Sequence, residues 1–302
     1  MSQKSKKSRK IKKIRVLIIL ILVLFTLISL LYYLNNSSLK NIEYSKNNGK
    51  VEQYKVKKRT VNANKTKKIE AGTRKEHPQK RGKLVFIIDD AGNSLNDLKP
   101  FLDFPGKITI SVLPGLPLSK ECAIKIVKAG KGLMLHLPME AISEKKMGPG
   151  GISVGETRKE ILKTIAEDFK TVPGASGANN HMGSRATADD KTMDVVMEYF
   201  HNNGKYFVDS KTTSVSKAKI YAEKWKVPFA ERDVFLDNTP DRTEIKEWIE
   251  KGIKIATKKG YAVLIGHVKH PQILDVLDEL IPNLDAKGIQ LAMPEEILER
   301  FK

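Results

Sequence analysis

Residues 83–302 predict an α/β fold, a closed or nearly closed parallel (β/α) barrel with its helices outside. Three observations point to it. Strand-like and helix-like stretches alternate seven or eight times over about 220 residues, with Gly or Pro at most joins. The strand candidates are continuous apolar runs, as in sheets covered on both faces. Acids and imidazoles recur where those runs end, which is where such barrels carry their chemistry. An open doubly wound sheet is the second architecture. No G-x-G-x-x-G or P-loop pattern follows the first strand, which weakens a nucleotide-binding version of it.

The chain begins outside this domain. Residues 1–15 hold eight Lys/Arg and no acid, and Val16 to Leu34 follow as nineteen uncharged residues rich in Leu and Ile. That length spans a bilayer core as a helix. The basic flank and Tyr32-Tyr33 at the far end predict a cytoplasmic N-terminus, a transmembrane anchor and an exported remainder. A cleaved signal segment is the competing reading, but no small-x-small site follows the run. Residues 35–82 are rich in Lys, Asn, Thr and Gln, bury too little to fold, and read as a disordered basic linker. Residues 1–82 carry 22 Lys+Arg against 4 Asp+Glu, so nearly all of the formal net charge of +19 belongs to them. The remaining 220 residues carry 32 against 31, and no nucleic-acid partner is expected of the domain.

Within the domain, strands are expected at 84–88, 108–112, 132–136, about 175–178, 205–208, about 228–230, 261–265 and 289–292. Helices are expected near 94–103, 119–130, 156–170, 189–203, 214–225, 241–259 and 271–286. The first strand, Leu84-Val-Phe-Ile-Ile, runs into Asp89-Asp90-Ala-Gly92. Adjacent carboxylates repel unless a cation or a proton is shared between them. A plain turn with a helix N-cap is the other reading of that pair. His136 ends the third strand with Glu140 just beyond, His181 and Arg185 follow the fourth, and Asp209 ends the fifth. Asp233 and Asp237 follow the sixth, and His267 ends the seventh. Any one of these could be a satisfied polar residue; together at successive strand ends they predict a site. Two histidines and a carboxylate with open positions suit a hydrolytic Zn²⁺ or similar divalent metal, and His136, His181 and one of the aspartates could supply them. His201 reads as a surface residue late in a helix, His270-Pro271 as a helix start, and Cys122 as a small core residue.

Ile-Ile-Asp89-Asp90-Ala-Gly, Leu-His136-Leu-Pro-Met-Glu140, Asn-His181-Met-Gly-Ser-Arg185, Val-Asp209-Ser, Arg232-Asp233-Val-Phe-Leu-Asp237-Asn238 and Ile-Gly-His267 resemble the divergent polysaccharide deacetylase family. This branch is related to the carbohydrate esterases that remove N- or O-acetyl groups from chitin-like polymers and peptidoglycan. The resemblance covers about 83–302 and implies a distorted TIM-like (β/α) barrel with about seven strands. It implies Asp89 as base, Asp90 as metal ligand and His267 as acid. The main family places its two metal histidines a few residues apart on one segment. Here Met139 and Glu140 follow His136, so His181 is the expected second histidine; an Arg-x-Pro-x-Gly motif is missing. The function implied is metal-dependent hydrolysis of N- (or O-) acetyl groups of a cell-envelope polysaccharide by zinc-bound water. Asp90, His136 and His181 would hold the ion, Asp233, Asp209 and Arg185 would orient these groups, and Glu140 would be a substrate contact or structural. The expected partners are acetylated polysaccharide or peptidoglycan, and the membrane through the N-terminal helix. The alternative is a membrane-tethered, non-catalytic glycan-binding or envelope-organising protein on the same fold.

Overall fold

Strand β1 (Gly82–Ala91) is the axis of the sheet, and its central residues Leu84 to Ile88 are fully buried. Side chains alternate along a strand, and the packing follows that alternation. Leu84, Phe86 and Ile88 join the large core between sheet and helices, whereas Val85 and Ile87 join a smaller cluster inside the curl of the sheet. A computed structural model describes residues 82–143 and 145–301. The anchor expected at 16–34 and nearly all of the linker expected at 35–82 lie outside the described residues. Among the described residues, no helix is long and apolar enough to cross a membrane.

After β1 the chain runs α1 (Leu95–Asp103), β2 (Thr109–Val112), α2 (Ser119–Lys128), β3 (Gly132–Met139), α3 (Arg158–Thr171), β4 (Gly177–Met182), α4 (Asp190–Asn202) and β5 (Tyr206–Asp209). It continues through α5 (Ala218–Trp225), β6 (Phe229–Glu231), β7 (Val234–Phe235), α6 (Arg242–Lys259), β8 (Tyr261–His267), α7 (Gln272–Leu284) and β9 (Ile289–Ala292). The sheet order is β6-β5-β4-β3-β2-β1-β8-β7, and each of these pairings is parallel. The outer strands of that order, β6 and β7, are separated in the chain only by Arg232 and Asp233. The Arg232 N–H donates to Asp209 O at the end of β5, and the Asp233 N–H donates to Val263 O in β8. One short stretch of chain is thus bonded to both ends of the sheet, which curls into a barrel-like ring. β6 and β7 share one of its seven positions. The expectation of a single strand near 228–230 missed this division. The shorter β9 pairs with β1 over Gly82–Val85, below the stretch of β1 that β2 covers.

Local chemistry accounts for the helix starts. Ser94 caps α1 by accepting from the Asp97 N–H, so the helix does not draw its cap from the aspartate pair. Thr157 and Glu160 form a reciprocal capping box on α3. Asp241 caps α6, which ends at Gly260 in the left-handed region (φ 94°). Helix α5 begins at Ala218 rather than 214, because the Lys217 N–H is committed to Thr187 O on a neighbouring loop. Cys122 is buried in the core as expected.

Candidate metal centre

In a regular strand Asp89 and Asp90 would face opposite sides of the sheet. They do not, because the β1–β2 register shifts between Ile88 and Ala91 and Asp90 takes a left-handed backbone (φ 65°). Such an irregularity re-aims a side chain, and both carboxylates reach the same imidazole. His136 Nε2 lies 3.6 Å from Asp89 Oδ2 and 3.4 Å from Asp90 Oδ1. His136 and His181 arrive from adjacent strands. Asn179 is the in-register partner of His136 in β4, and two residues further along the same face comes His181. His181 Nδ1 lies 3.2 Å from His136 Nε2 and 3.2 Å from Asp90 Oδ1.

Three electron-pair donors therefore sit 3.2 to 3.4 Å apart. Tetrahedral zinc with bonds of about 2.0–2.1 Å separates its N and O ligand atoms by about 3.3 Å. Asp90 Oδ1 is buried and receives no hydrogen bond of good geometry. An orphaned carboxylate oxygen facing two ring nitrogens fits a divalent cation. Asp90, His136 and His181 form a possible metal-holding group on these grounds. Burial opposes ionisation of Asp90, but the two facing imidazoles outweigh it and hold the carboxyl far below its ordinary range.

Asp89 is almost wholly buried, and burial pushes its carboxyl up against the opposing pull of His136, His267 and Asn179. The Asn179 amide donates to both of its oxygens, at 2.9 and 3.0 Å. His136 is equally buried; burial disfavours its charged form, yet the two aspartates raise its pKa overall. His267 is the register partner of Asp89 across β1 and β8, and the Val268 N–H donates to Asp89 O. Its Nδ1 faces Asp237 Oδ1 at 3.0 Å, and its backbone N–H donates to Asp237 Oδ2 at 2.6 Å. Burial works against protonation of His267, but Asp237, Asp89 and Asp90 lift its pKa to about 9.

The remaining expected residues divide. Asp233, expected as an orienting group, is not brought into the cluster. Its carboxylate accepts from Lys259 Nζ and from the Val263 N–H, and Asp237 instead holds His267. Asp209 is fully buried, two residues along β5 from Phe207, a member of the core between sheet and helices, with one oxygen accepting from the Lys211 N–H. Glu140 and Arg185 pair with each other at 2.7 Å, while the Arg185 and Ala186 N–H groups donate to Glu140 O and the Val154 N–H to Glu140 Oε2. Together they staple the exits of β3 and β4. Ser111, Asn179 and Ser210 went unremarked in the sequence, although they form the polar floor of the site. The signal was present: a Ser inside Ile-Thr-Ile-Ser-Val and a paired Asn-Asn inside a strand are polar residues at positions buried on both faces. His201 is exposed and the His270 carbonyl accepts from the Ile273 N–H, both as expected.

Comparison with known proteins agrees with the fold. The chain is 32% identical over 207 residues to the uncharacterized protein YibQ of Escherichia coli K12, covering 68% of this chain and 65% of that one. This chain thus matches just under two thirds of that relative's length. It is 30% identical over 211 residues to an uncharacterized protein of Haemophilus influenzae Rd, covering 70% of this chain and 75% of the other. A solved structure of the uncharacterized protein ATU2773 from Agrobacterium tumefaciens C58 superposes with a TM-score of 0.68 at 17% identity, over 72% of this chain and 89% of that chain. The family model described as divergent polysaccharide deacetylase matches residues 86–298. With that match spanning most of its length, the chain belongs to the divergent polysaccharide deacetylase family.

Proposed function

We propose that this protein is a metal-dependent deacetylase that hydrolyses N- (or O-) acetyl groups of a cell-envelope polysaccharide such as peptidoglycan. The observation that carries the reading is the convergence of Asp90 Oδ1, His136 Nε2 and His181 Nδ1 at tetrahedral spacing, beside a buried Asp89 and a His267 ring paired with Asp237. A divalent ion held by those three residues, Zn²⁺ by donor chemistry, would supply Lewis acidity to the acetyl carbonyl and to water.

The chain's own residues supply the proton transfers. Asp89 takes the proton of the water that attacks the acetyl carbon, and its bonds from Asn179 keep the carboxylate aimed at the site. His267 has Nδ1 bound to Asp237, which leaves Nε2–H to protonate the departing sugar nitrogen as the C–N bond breaks. The products are acetate and the free amine. The same proposal places residues 16–34 in the membrane and the barrel outside the cytoplasm, on the strength of the basic flank and the uncharged apolar run.

The test joins metal analysis of the purified full chain to acetate release from N-acetylglucosamine oligomers and peptidoglycan. Stoichiometric zinc with acetate release abolished in Asp89→Asn is expected. Metal binding without acetate from any glycan would overturn the assignment. Glycan retention with neither metal nor acetate would establish a non-catalytic binding protein on this fold.

A further inference from the structure

Every polar atom of the Asn179 side chain is committed. Its Nδ2 donates to both oxygens of Asp89 (2.9 and 3.0 Å) and to Ser210 Oγ (3.1 Å). Its Oδ1 accepts from the Ser111 hydroxyl and faces His136 Nδ1 at 3.0 Å. The residue is fully buried. A flipped amide would press its oxygen against two carboxylate oxygens, so the neighbours fix the orientation. With Oδ1 facing it, His136 Nδ1 must carry a hydrogen. The lone pair of the ring is then on Nε2, the atom nearest Asp90 and His181.

We infer that Asn179 is the positioning residue of this centre: one amide selects the His136 tautomer that can bind metal through Nε2 and, from its other end, clamps Asp89. Ser111 and Ser210 hold that amide in turn. The inference extends the metal-dependent reading above, and it concerns how the ligand and the base are held rather than which substrate is cleaved. Outer partners of metal-bound histidines act in this way generally, and losing one costs about 10–100-fold in metal affinity. Here a single side chain couples the metal ligand to the base, so two functions separate by substitution. Asn179→Ala removes both. Asn179→Asp keeps an acceptor for His136 and Ser111 but turns an oxygen toward Asp89.

The experiment uses the full chain labelled with ¹⁵N-histidine, loaded with zinc, and followed by imidazole NMR and calorimetric zinc titration. In the wild type, His136 is expected to show Nδ1–H with Nε2 bound, and His181 the opposite pattern. Zinc affinity should fall about 10–100-fold in Asn179→Ala and recover most of that loss in Asn179→Asp, which should still lack turnover. Thr192→Ala removes a buried hydroxyl that donates to Asp189 and serves as the control for general destabilisation. It should bind zinc as the wild type does. Zinc on His136 through Nδ1, or wild-type zinc affinity in a folded Asn179→Ala, would overturn the inference. Neither readout depends on a glycan. A wild type that binds zinc in the expected pattern yet releases no acetate would sink the deacetylase reading and leave the role of Asn179 standing.

Discussion

Asp237→Asn isolates the contact that keeps His267 protonated. The pKa of His267 is raised from 6.5 to about 9. A shift of that size corresponds to at most about 3–4 kcal/mol, at about 1.4 kcal/mol for each pH unit. Because the folded-state value is the higher one, this stabilisation is complete below about pH 6.5 and is lost as pH rises through 9. Asp237 reaches both the ring and the backbone of His267 and is buried, so removing its charge should abolish a large share of the effect. Asp89 and Asp90 would retain the rest. Urea unfolding of the metal-free chain at pH 6 and pH 9.5 measures the loss. Asp168 titrates in the same window with the same sign, its pKa lifted to about 8 by burial. The readout is therefore the difference between wild type and variant at each pH. That difference should be large at pH 6 and shrink towards pH 9.5, and the alkaline limb of acetate release should move to lower pH in the variant. Equal dependence of stability on pH in the two proteins would refute the Asp237–His267 argument.

Other expectations follow from the same geometry. Asp168→Asn removes a buried carboxyl whose Oδ2 has no partner, so the variant should be about 1–3 kcal/mol more stable than wild type at pH 8, with little difference at pH 4. Gly150→Ala should lower the melting temperature. Its Cβ would lie 2.1 Å from Asp168 Oδ1 on a backbone at φ +72°. Phe207→Ala, in the fully buried sheet core, should cost about 3–5 kcal/mol by chemical denaturation and leave zinc stoichiometry unchanged. His181→Ala should unfold at a wild-type denaturant midpoint when metal-free, yet lose the stabilisation that added zinc confers on the wild type.

How far the sequence reaches is clearest residue by residue. β1 was legible because five buried apolar residues in a row have no other comfortable conformation in a parallel sheet. The convergence of Asp89, Asp90, His136, His181 and His267 was legible because strand ends in such a fold share one rim. The choice between Asp233 and Asp237 was not. Asp233 follows a strand of three residues and Asp237 one of two, and side-chain direction there depends on the split into β6 and β7. That split is set by backbone bonds to Asp209 and Val263, which are distant in sequence. Asn179 could have been found by counting in twos from His181, since both lie on the face that carries His136 across the register. The sequence alone does not single it out, because a neutral amide carries no chemistry of its own.

The left-handed backbone at Asp90 narrows the chemical options at that position to almost nothing. Glycine adopts the conformation freely but brings no oxygen. Asparagine tolerates it but brings a neutral one, and glutamate brings the charge on a side chain poorly suited to that conformation. Aspartate alone meets the steric and the electrostatic demand together. Engineering this centre towards a softer metal by placing Cys at position 90 would therefore strain the very turn that lets two neighbouring carboxylates share a face.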